Sequence, residues 1–483
     1  MKVPGWDVVG ETSTTSGRNP GGVPAPSPDE CTRRDVIRGA AAVAGGLVLE
    51  ACAHGDRSAA SLPNAPPPAA ASTPSAARPG LAGGLTVSGT RLIKDGKPFF
   101  VSGFNYWAGP TLAREGNTAG WDQVRRDLDG LQRCGVNTLR VMAATEGPDS
   151  EPYRIVPTIQ PALGHYDPAG VAGLLRFAGE LAARGLHAIF TLNNFWPWSG
   201  GFAQYVAWAG QGPIPYPPPA PKGSWDRFSN FSGSFYKNTA AVEGYDAYLR
   251  YLVPQLKDNP MVIWELANEP RGMRNGAAYR RWIAASARLL KSMAPGQLVT
   301  TGSEGETPSP LYAGLDLVDD HRSADVDFAC FHLWAENWGW VHKGSLEREL
   351  PSALERANHY IRDHVARGER LGKPVLLEEL GFPRDGGSYL PGAPATVRDR
   401  YFEEIYALVA SLMPTTPMCG IMPWAWAGSG RPPRPGEMWR PGDPFVGDPP
   451  HEPQGWYSVY DGDAMVDLVA RWSPKLVAGG AAS

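Results

Sequence analysis

The chain has 483 residues, with 45 basic against 49 acidic side chains and a formal net charge of −4. So even a balance excludes a nucleic acid or an acidic surface as a partner recruited by charge. Five cysteines are too few and too scattered for a disulfide scaffold or a zinc site. The unusual counts are 17 Trp and 17 Tyr, whose faces either fill cores or stack on apolar ligand faces such as sugar rings.

Thr32-Arg33-Arg34-Asp35-Val36-Ile37-Arg38 precedes a small apolar stretch, Gly39 to Leu49. An arginine pair before a short hydrophobic segment resembles a twin-arginine export signal of bacteria, and the stretch is too short for a permanent span. Leu49-Glu50-Ala51-Cys52 also resembles a lipoprotein cleavage box, with Glu50 an awkward occupant. Lipidation of Cys52 and simple cleavage of the leader are therefore both open. Residues 1–52 are read as the leader, 53–82 as an Ala/Pro/Ser-rich tether, 83–475 as one catalytic domain and 476–483 as a tail. The expected location is periplasmic, extracellular or lipid-anchored at a bacterial envelope.

From Gly83 onward, apolar strand-like runs alternate with amphipathic helices. Phe99 to Phe104 is the first predicted strand, followed by a helix with Trp121, Val124, Leu128 and Leu131 on one face. Asn137 to Met142 is the second strand. Asp167-Pro168 then supplies the N-cap and first-turn proline of a helix that Gly185 closes. The remaining strands are predicted at His187 to Leu192, Met261 to Ala267, Leu298 to Thr301, Val326 to Phe331, Val375 to Leu377 and Ile421 to Trp426. Helices over Tyr279 to Met293 and Val397 to Leu412 separate some of them. Eight such units favour a closed α/β fold, the (β/α)8 barrel. An open doubly wound sheet is disfavoured, because no glycine-rich phosphate turn follows the first strand. Cys134, Cys330 and Cys419 sit in or beside apolar segments and read as small buried hydrophobes.

Two connections exceed what packing needs, Asn194 to Ala240 after the third strand and Gly428 to Gly462 after the eighth. Both leave strand C-termini, the active-site face of a barrel.

The chemistry converges on that face. Asn268-Glu269-Pro270 ends a mostly apolar run, as a strand buried on both faces should, and the proline leaves Glu269 at the mouth. A carboxyl group in a partly dry setting, facing a second carboxylate, can donate a proton. Glu378 and Glu379 end another run; in an extended chain their side chains alternate, so one of them faces the pocket. The Leu380-Gly381 turn assigns that place to Glu379. Arg140 ends the second strand, where a buried cation would hold the nucleophile ionised. His332 follows another apolar run and precedes Trp334, Asn337, Trp338 and Trp340, a density of side chains suited to sugars. A metal site is not expected, because no second histidine or carboxylate stands near it at ligand spacing.

These motifs resemble glycoside hydrolase family 5, and within it the β-mannanases. The signature is carried by Trp264-Glu265-Leu266-Ala267-Asn268-Glu269-Pro270-Arg271, by Asn193-Asn194-Phe195-Trp196-Pro197-Trp198-Ser199-Gly200-Gly201, and by His332-Leu333-Trp334 through Trp340. Glu378-Glu379-Leu380-Gly381, Trp424-Ala425-Trp426, Asn105-Tyr106-Trp107 and Thr301-Gly302-Ser303-Glu304-Gly305 extend it over residues 84–470. The resemblance implies a retaining double displacement with Glu269 as acid/base and Glu379 as nucleophile. It also implies that Arg140, Asn268, His332, Trp334 and Trp424 line the sugar-cleaving subsite, that Asn194 binds substrate, and that Trp196 and Trp198 are platforms for neighbouring units. Trp334 stands where many relatives have Tyr, and Leu380 replaces a more usual aromatic residue. The implied activity is endo-hydrolysis of β-1,4-mannan, glucomannan or galactomannan by a monomer that needs no metal or organic cofactor. The alternatives are an exo-acting β-mannosidase, a β-1,4-glucanase of the same fold and, more distantly, a non-catalytic carbohydrate-binding barrel.

Overall fold

The computed structural model describes residues 80–479. The leader motif with Arg33 and Arg34, Cys31, Cys52 and most of the tether lie outside the described residues, as does the end of the tail.

Eight parallel strands form the barrel: β4 (Val101–Asn105), β5 (Thr138–Met142), β6 (His187–Thr191), β7 (Val262–Glu265), β8 (Val299–Thr300), β9 (Ala329–Leu333), β10 (Val375–Leu380) and β11 (Met418–Pro423). They are ordered β8-β7-β6-β5-β4-β11-β10-β9 in one sheet. The remaining seam, between β8 and β9, is joined just before β9 begins, where the Asp327 N–H donates to the Val299 carbonyl at 2.8 Å. The predicted (β/α)8 barrel is therefore the observed fold. Among the described residues, long helices follow every barrel strand except β8, which is followed by two short ones, Pro310–Ala313 and Leu317–Asp320.

Burial on both faces explains the strand sequences. One set of side chains, including Val101, Ile189, Ile263, Phe328, Leu376 and Cys419, fills the lower barrel interior. The alternate set, including Leu139, Val141, Phe190, Trp264, Phe331 and Leu377, packs outward against the helices. The helix Thr118–Arg133 buries Trp121, Val124, Leu128 and Leu131, as its spacing predicts. Pro168–Arg184 starts on an Asp167 side chain that accepts from the Gly170 N–H, and ends at Gly185 with φ +68°.

Several boundaries differ from the sequence reading, each for a local reason. The expected first strand divides between β3 (Lys97–Phe99) and β4; β3 joins β1 (Leu85–Ser88) and β2 (Arg91–Lys94) in an antiparallel sheet. That sheet was not anticipated, since its strands are short and largely polar, but Leu85 and Leu92 plug the lower end of the barrel. The sixth strand begins three residues later than predicted, and the eighth ends at Pro423, with Trp426–Gly428 forming a separate short strand, β12, paired with β13 (Val459–Tyr460). The long connection after β6 contains the helices Gly201–Trp208 and Trp225–Ser232. The last helix, Ala464–Val477, runs past the expected domain end at 475, because Leu476 is buried in the core. Cys134, Cys330 and Cys419 are buried free thiols.

Candidate active site

The upper ends of β5, β7, β9 and β10 bring one cation, one imidazole and four carboxylates together. Arg140 on β5 is buried. Its Nε and Nη2 donate to Glu265 Oε2 and Oε1 at 2.7 and 2.6 Å. Nη2 also donates to Asn268 Oδ1 at 2.8 Å, and Nη1 donates to Asn105 Oδ1 at 3.1 Å and to Glu379 Oε1. Burial opposes the charged guanidinium, but the three glutamates Glu265, Glu379 and Glu378 push its pKa further above an already high value.

Glu269 follows β7 in a left-handed backbone conformation, φ +48°. For a residue with a side chain such a conformation costs about 1–3 kcal/mol and persists where surrounding bonds impose it. Here the Glu269 N–H donates to the Gly302 carbonyl at 3.0 Å, and the preceding Asn268 is bridged to Asn194. Asn268 Nδ2 donates to Asn194 Oδ1 at 3.0 Å, and that oxygen also accepts from the Trp196 N–H at 3.0 Å. The Trp196 indole N–H donates to Glu269 Oε2. Above the same indole lies the Arg271 guanidinium, 4.7 Å from the ring centre and held by Glu304 at 2.5 and 2.8 Å.

The Glu378-Glu379 doublet departs from the alternation expected of it. Leu377 pairs with Phe331, but Glu379 pairs with His332, so β10 carries one extra residue at Glu378. Alternation from the inward Leu376 sends Glu378 into the barrel, and the bulge turns Glu379 into the mouth as well. The expectation that only one of the two faces the interior is thus corrected: both meet the same two cations. Arg140 Nε lies 3.9 Å and His332 Nε2 lies 3.7 Å from Glu378 Oε2, while His332 Nδ1 lies 3.2 Å from Glu379 Oε2. His332 Nδ1 is also 2.9 Å from Glu269 Oε1. Burial disfavours a charged ring, but Glu379, Glu269 and Glu378 together push the His332 pKa up to about 10. Burial likewise works against the Glu378 carboxylate, yet His332 and Arg140 hold it below its ordinary value.

One ligand atom each from Glu269, His332 and Glu379 falls within 4.8 Å of the others. These are three groups a metal could use, drawn from three elements, so spacing along the chain could not reveal them. The charged imidazole has no lone pair to give, and Arg140 already neutralises Glu379, which makes a divalent cation a poor guest.

Trp424, Trp334 and Trp198 form the aromatic wall. Trp424 lies 6.1 Å from Trp334 and 6.4 Å from Trp198, and Trp198 lies 5.9 Å from Trp107. Among the described residues, Asn194 Nδ2 and the indole N–H groups of Trp198 and Trp424 are buried donors with no partner. Of the sequence-predicted site residues, Arg140, Asn194, Trp196, Asn268, Glu269, His332 and Glu379 are joined by these polar contacts, and Trp198, Trp334 and Trp424 by their ring contacts. Sequence reading missed Glu265, whose signal was a carboxylate inside an apolar strand that must find a buried cation. It also missed Glu336, which accepts from Trp456 Nε1 at 2.8 Å and from the Tyr457 hydroxyl at 3.1 Å. No local pattern marks that contact, since it joins loops 120 residues apart.

Residues 84–479 match the model described as GH family 5 beta-mannosidase-like. The mannan endo-1,4-beta-mannosidase A of Podospora anserina is 29% identical over 329 residues, 65% of this chain and 77% of that protein. The crystal structure of the glycoside hydrolase family 5 mannosidase from Rhizomucor miehei is 30% identical, covers 83% of this chain and 99% of its own, and has a TM-score of 0.75. A variant of that mannosidase in complex with mannosyl-fructose has the same TM-score at 29% identity, covering 83% of this chain and 98% of its own. A match over nearly all of the described chain, together with the paired glutamates at the barrel mouth, places the protein in glycoside hydrolase family 5, among its β-mannosidase-like members.

Proposed function

We propose that the protein is a retaining endo-β-1,4-mannanase acting on mannan, glucomannan or galactomannan, with Glu269 as acid/base and Glu379 as nucleophile. The observation that carries this reading is the short approach of the two carboxylates, oxygen to oxygen within 4.8 Å across His332. Retaining enzymes hold their carboxyl groups about 5–5.5 Å apart, whereas inverting ones leave about 6.5–9.5 Å for a water. Glu269 protonates the interunit oxygen while Glu379 attacks the anomeric carbon; Glu269 then deprotonates the water that releases the mannosyl-enzyme. The unpartnered donors of Asn194, Trp198 and Trp424 suit a ligand rich in hydroxyl groups. Product analysis on mannan, glucomannan, galactomannan and cellulose, with proton NMR of the first-formed anomer, tests the proposal. Release of α-configured ends, or cleavage of cellulose alone, would overturn it.

A second reading, cleavage from a chain end, is favoured by one observation. His451, in the connection after β11, packs edge-on against Trp225 at 5.4 Å and Tyr153 at 5.1 Å, which belong to the connections after β6 and β5. Three loops meeting this way wall one side of the mouth. Mannose as the sole early product would decide for this reading, and a ladder of oligosaccharides for the first.

Export through the twin-arginine leader, anchoring at Cys52 and a monomeric state complete the proposal. Acyl labelling of Cys52 in a bacterial host and light scattering of the purified protein test these points.

A further inference from the structure

Glu378 is a fully buried carboxylate whose neighbouring donors are the weak S–H of Cys330 and the ring of His332, neither at full hydrogen-bond geometry. A buried charge persists only when paired. Arg140 lies 3.9 Å away, but its N–H groups are committed to Glu265, Glu379, Asn105 and Asn268. The remaining cation is His332, whose Nε2 lies 3.7 Å from Glu378 Oε2. The opposite ring nitrogen faces Glu269 Oε1 at 2.9 Å and Glu379 Oε2 at 3.2 Å. A neutral imidazole has only one N–H, so it would set a lone pair against a carboxylate on one side or the other. Only the imidazolium presents a proton to both.

We infer that Glu378 is a positioning residue that keeps His332 doubly protonated, so that its Nδ1–H serves Glu379 and Glu269 in turn through the two halves of the reaction. This rests on the double-displacement reading. Before cleavage Glu379 is ionised and Glu269 holds a proton. That proton passes to the interunit oxygen, the bond from that oxygen to the anomeric carbon breaks with its electron pair going to the oxygen, and Glu379 bonds to the carbon. The negative charge now sits on Glu269. Water then gives its proton to Glu269, its oxygen bonds to the anomeric carbon, and the electron pair of the ester bond returns to Glu379. On its Nδ1 side the fixed positive charge therefore faces one negative charge at every resting point, while Glu378 stays ionised on the Nε2 side. The ring need not move, because both oxygens already lie within reach of Nδ1.

The groups around this ring are Glu265 and Glu269 from β7 and the turn after it, Arg140 from β5, and Glu378 and Glu379 from β10. Cys330 on β9 and Cys419 on β11 flank Glu378, and burial pushes both thiols up, so they stay neutral.

The test reads the ring directly. Nitrogen NMR of histidine-labelled protein, with the resonance assigned by its absence in His332→Gln, is expected to show an imidazolium throughout the window of about pH 5–8. In Glu378→Gln the same ring is expected to lose its proton within that window. The alkaline limb of kcat should fall by about one pH unit or more, with KM little changed. Glu378→Asp, which withdraws the carboxylate by one methylene, should shift the limb the same way by less, and decides the matter if the glutamine variant does not fold. A neutral His332 in the wild type at pH 7, or an unshifted limb in the folded variants, would overturn the inference. The spectrum needs no substrate, so inactivity on mannosides would sink the functional reading while the state of His332 remained measurable.

Discussion

Arg140 and Glu265 form a two-point ion pair in the barrel interior, at 2.7 and 2.6 Å, with both side chains almost wholly removed from water. Four residues along the chain from Glu265, Glu269 emerges at the mouth, so the pair supports the base of the site. Removing one partner of such a pair leaves an uncompensated buried charge and costs about 3–5 kcal/mol. Arg140→Ala is therefore expected to lower the urea midpoint strongly and to abolish activity. Arg140→Lys cannot reproduce the fork and should fall between. Wild-type stability in Arg140→Ala would show that the pair contributes nothing.

The roles proposed for the two glutamates predict opposite stereochemistry under chemical rescue. Glu269→Ala with an activated aryl β-mannoside should still form the mannosyl-enzyme, and added azide should intercept it to give the β-azide. In Glu379→Ala, azide should displace the aryl group directly and give the α-azide. Each variant is expected to lose about 10²-fold or more on mannan without azide. The same anomer from both variants would reject the assignment.

Trp196→Phe keeps a ring under Arg271 but removes the N–H that reaches Glu269. A hydrogen bond to a charged group contributes about 1.5–3 kcal/mol. The expected loss in kcat/KM is thus about 10- to 100-fold, with a lowered thermal midpoint as well, because Trp196 is buried and the smaller ring leaves space in the core. An unaltered kcat/KM would remove Trp196 from the proton-transfer machinery.

His364 predicts the acid stability of the fold. Its Nδ1 donates to the Tyr360 carbonyl at 2.7 Å and its Nε2 accepts from the Glu306 N–H at 2.8 Å, which defines a neutral ring. Burial, the largest influence, lowers its pKa from 6.5 to about 4. The folded state then binds fewer protons than the unfolded chain between those values. Its stabilising effect is complete above about pH 6.5 and is lost as pH falls toward about 4, a change of about 3 kcal/mol. His364→Gln should flatten the fall in urea midpoint between pH 7 and pH 4.5, and a slope equal to that of the wild type would refute this.

Gly305 lies against the same ring, with φ +75° and a position where an added Cβ would fall 2.5 Å from His364 Nε2. Gly305→Ala is expected to destabilise through both the backbone conformation and the clash, by about 1 kcal/mol or more. A midpoint equal to that of the wild type would exclude both.

Much of this protein was legible in one dimension. Strands buried on both faces read as continuous apolar runs, and helices one turn later read as amphipathic, so period and punctuation sufficed for the barrel. Glu269, Glu379 and His332 could be picked out because each is a polar residue ending or closely following such a run, and in a parallel barrel every strand C-terminus reaches the same face. Arg140, expected to end its strand, instead stands in the middle of β5 as a cation inside an apolar run. Three-dimensional pairing decided the rest. The extra residue at Glu378 is invisible in a doublet of glutamates, because a bulge is defined by the partner strands β9 and β11 and not by the strand that carries it. Likewise, that Glu265 takes up Arg140, and that His332 faces three carboxylates, depends on barrel register, which sums small interstrand offsets that no local pattern records. The sequence thus determined which charges enter the barrel; only the closed sheet decided how they neutralise one another, since buried charges must be matched by contact and not by order along the chain.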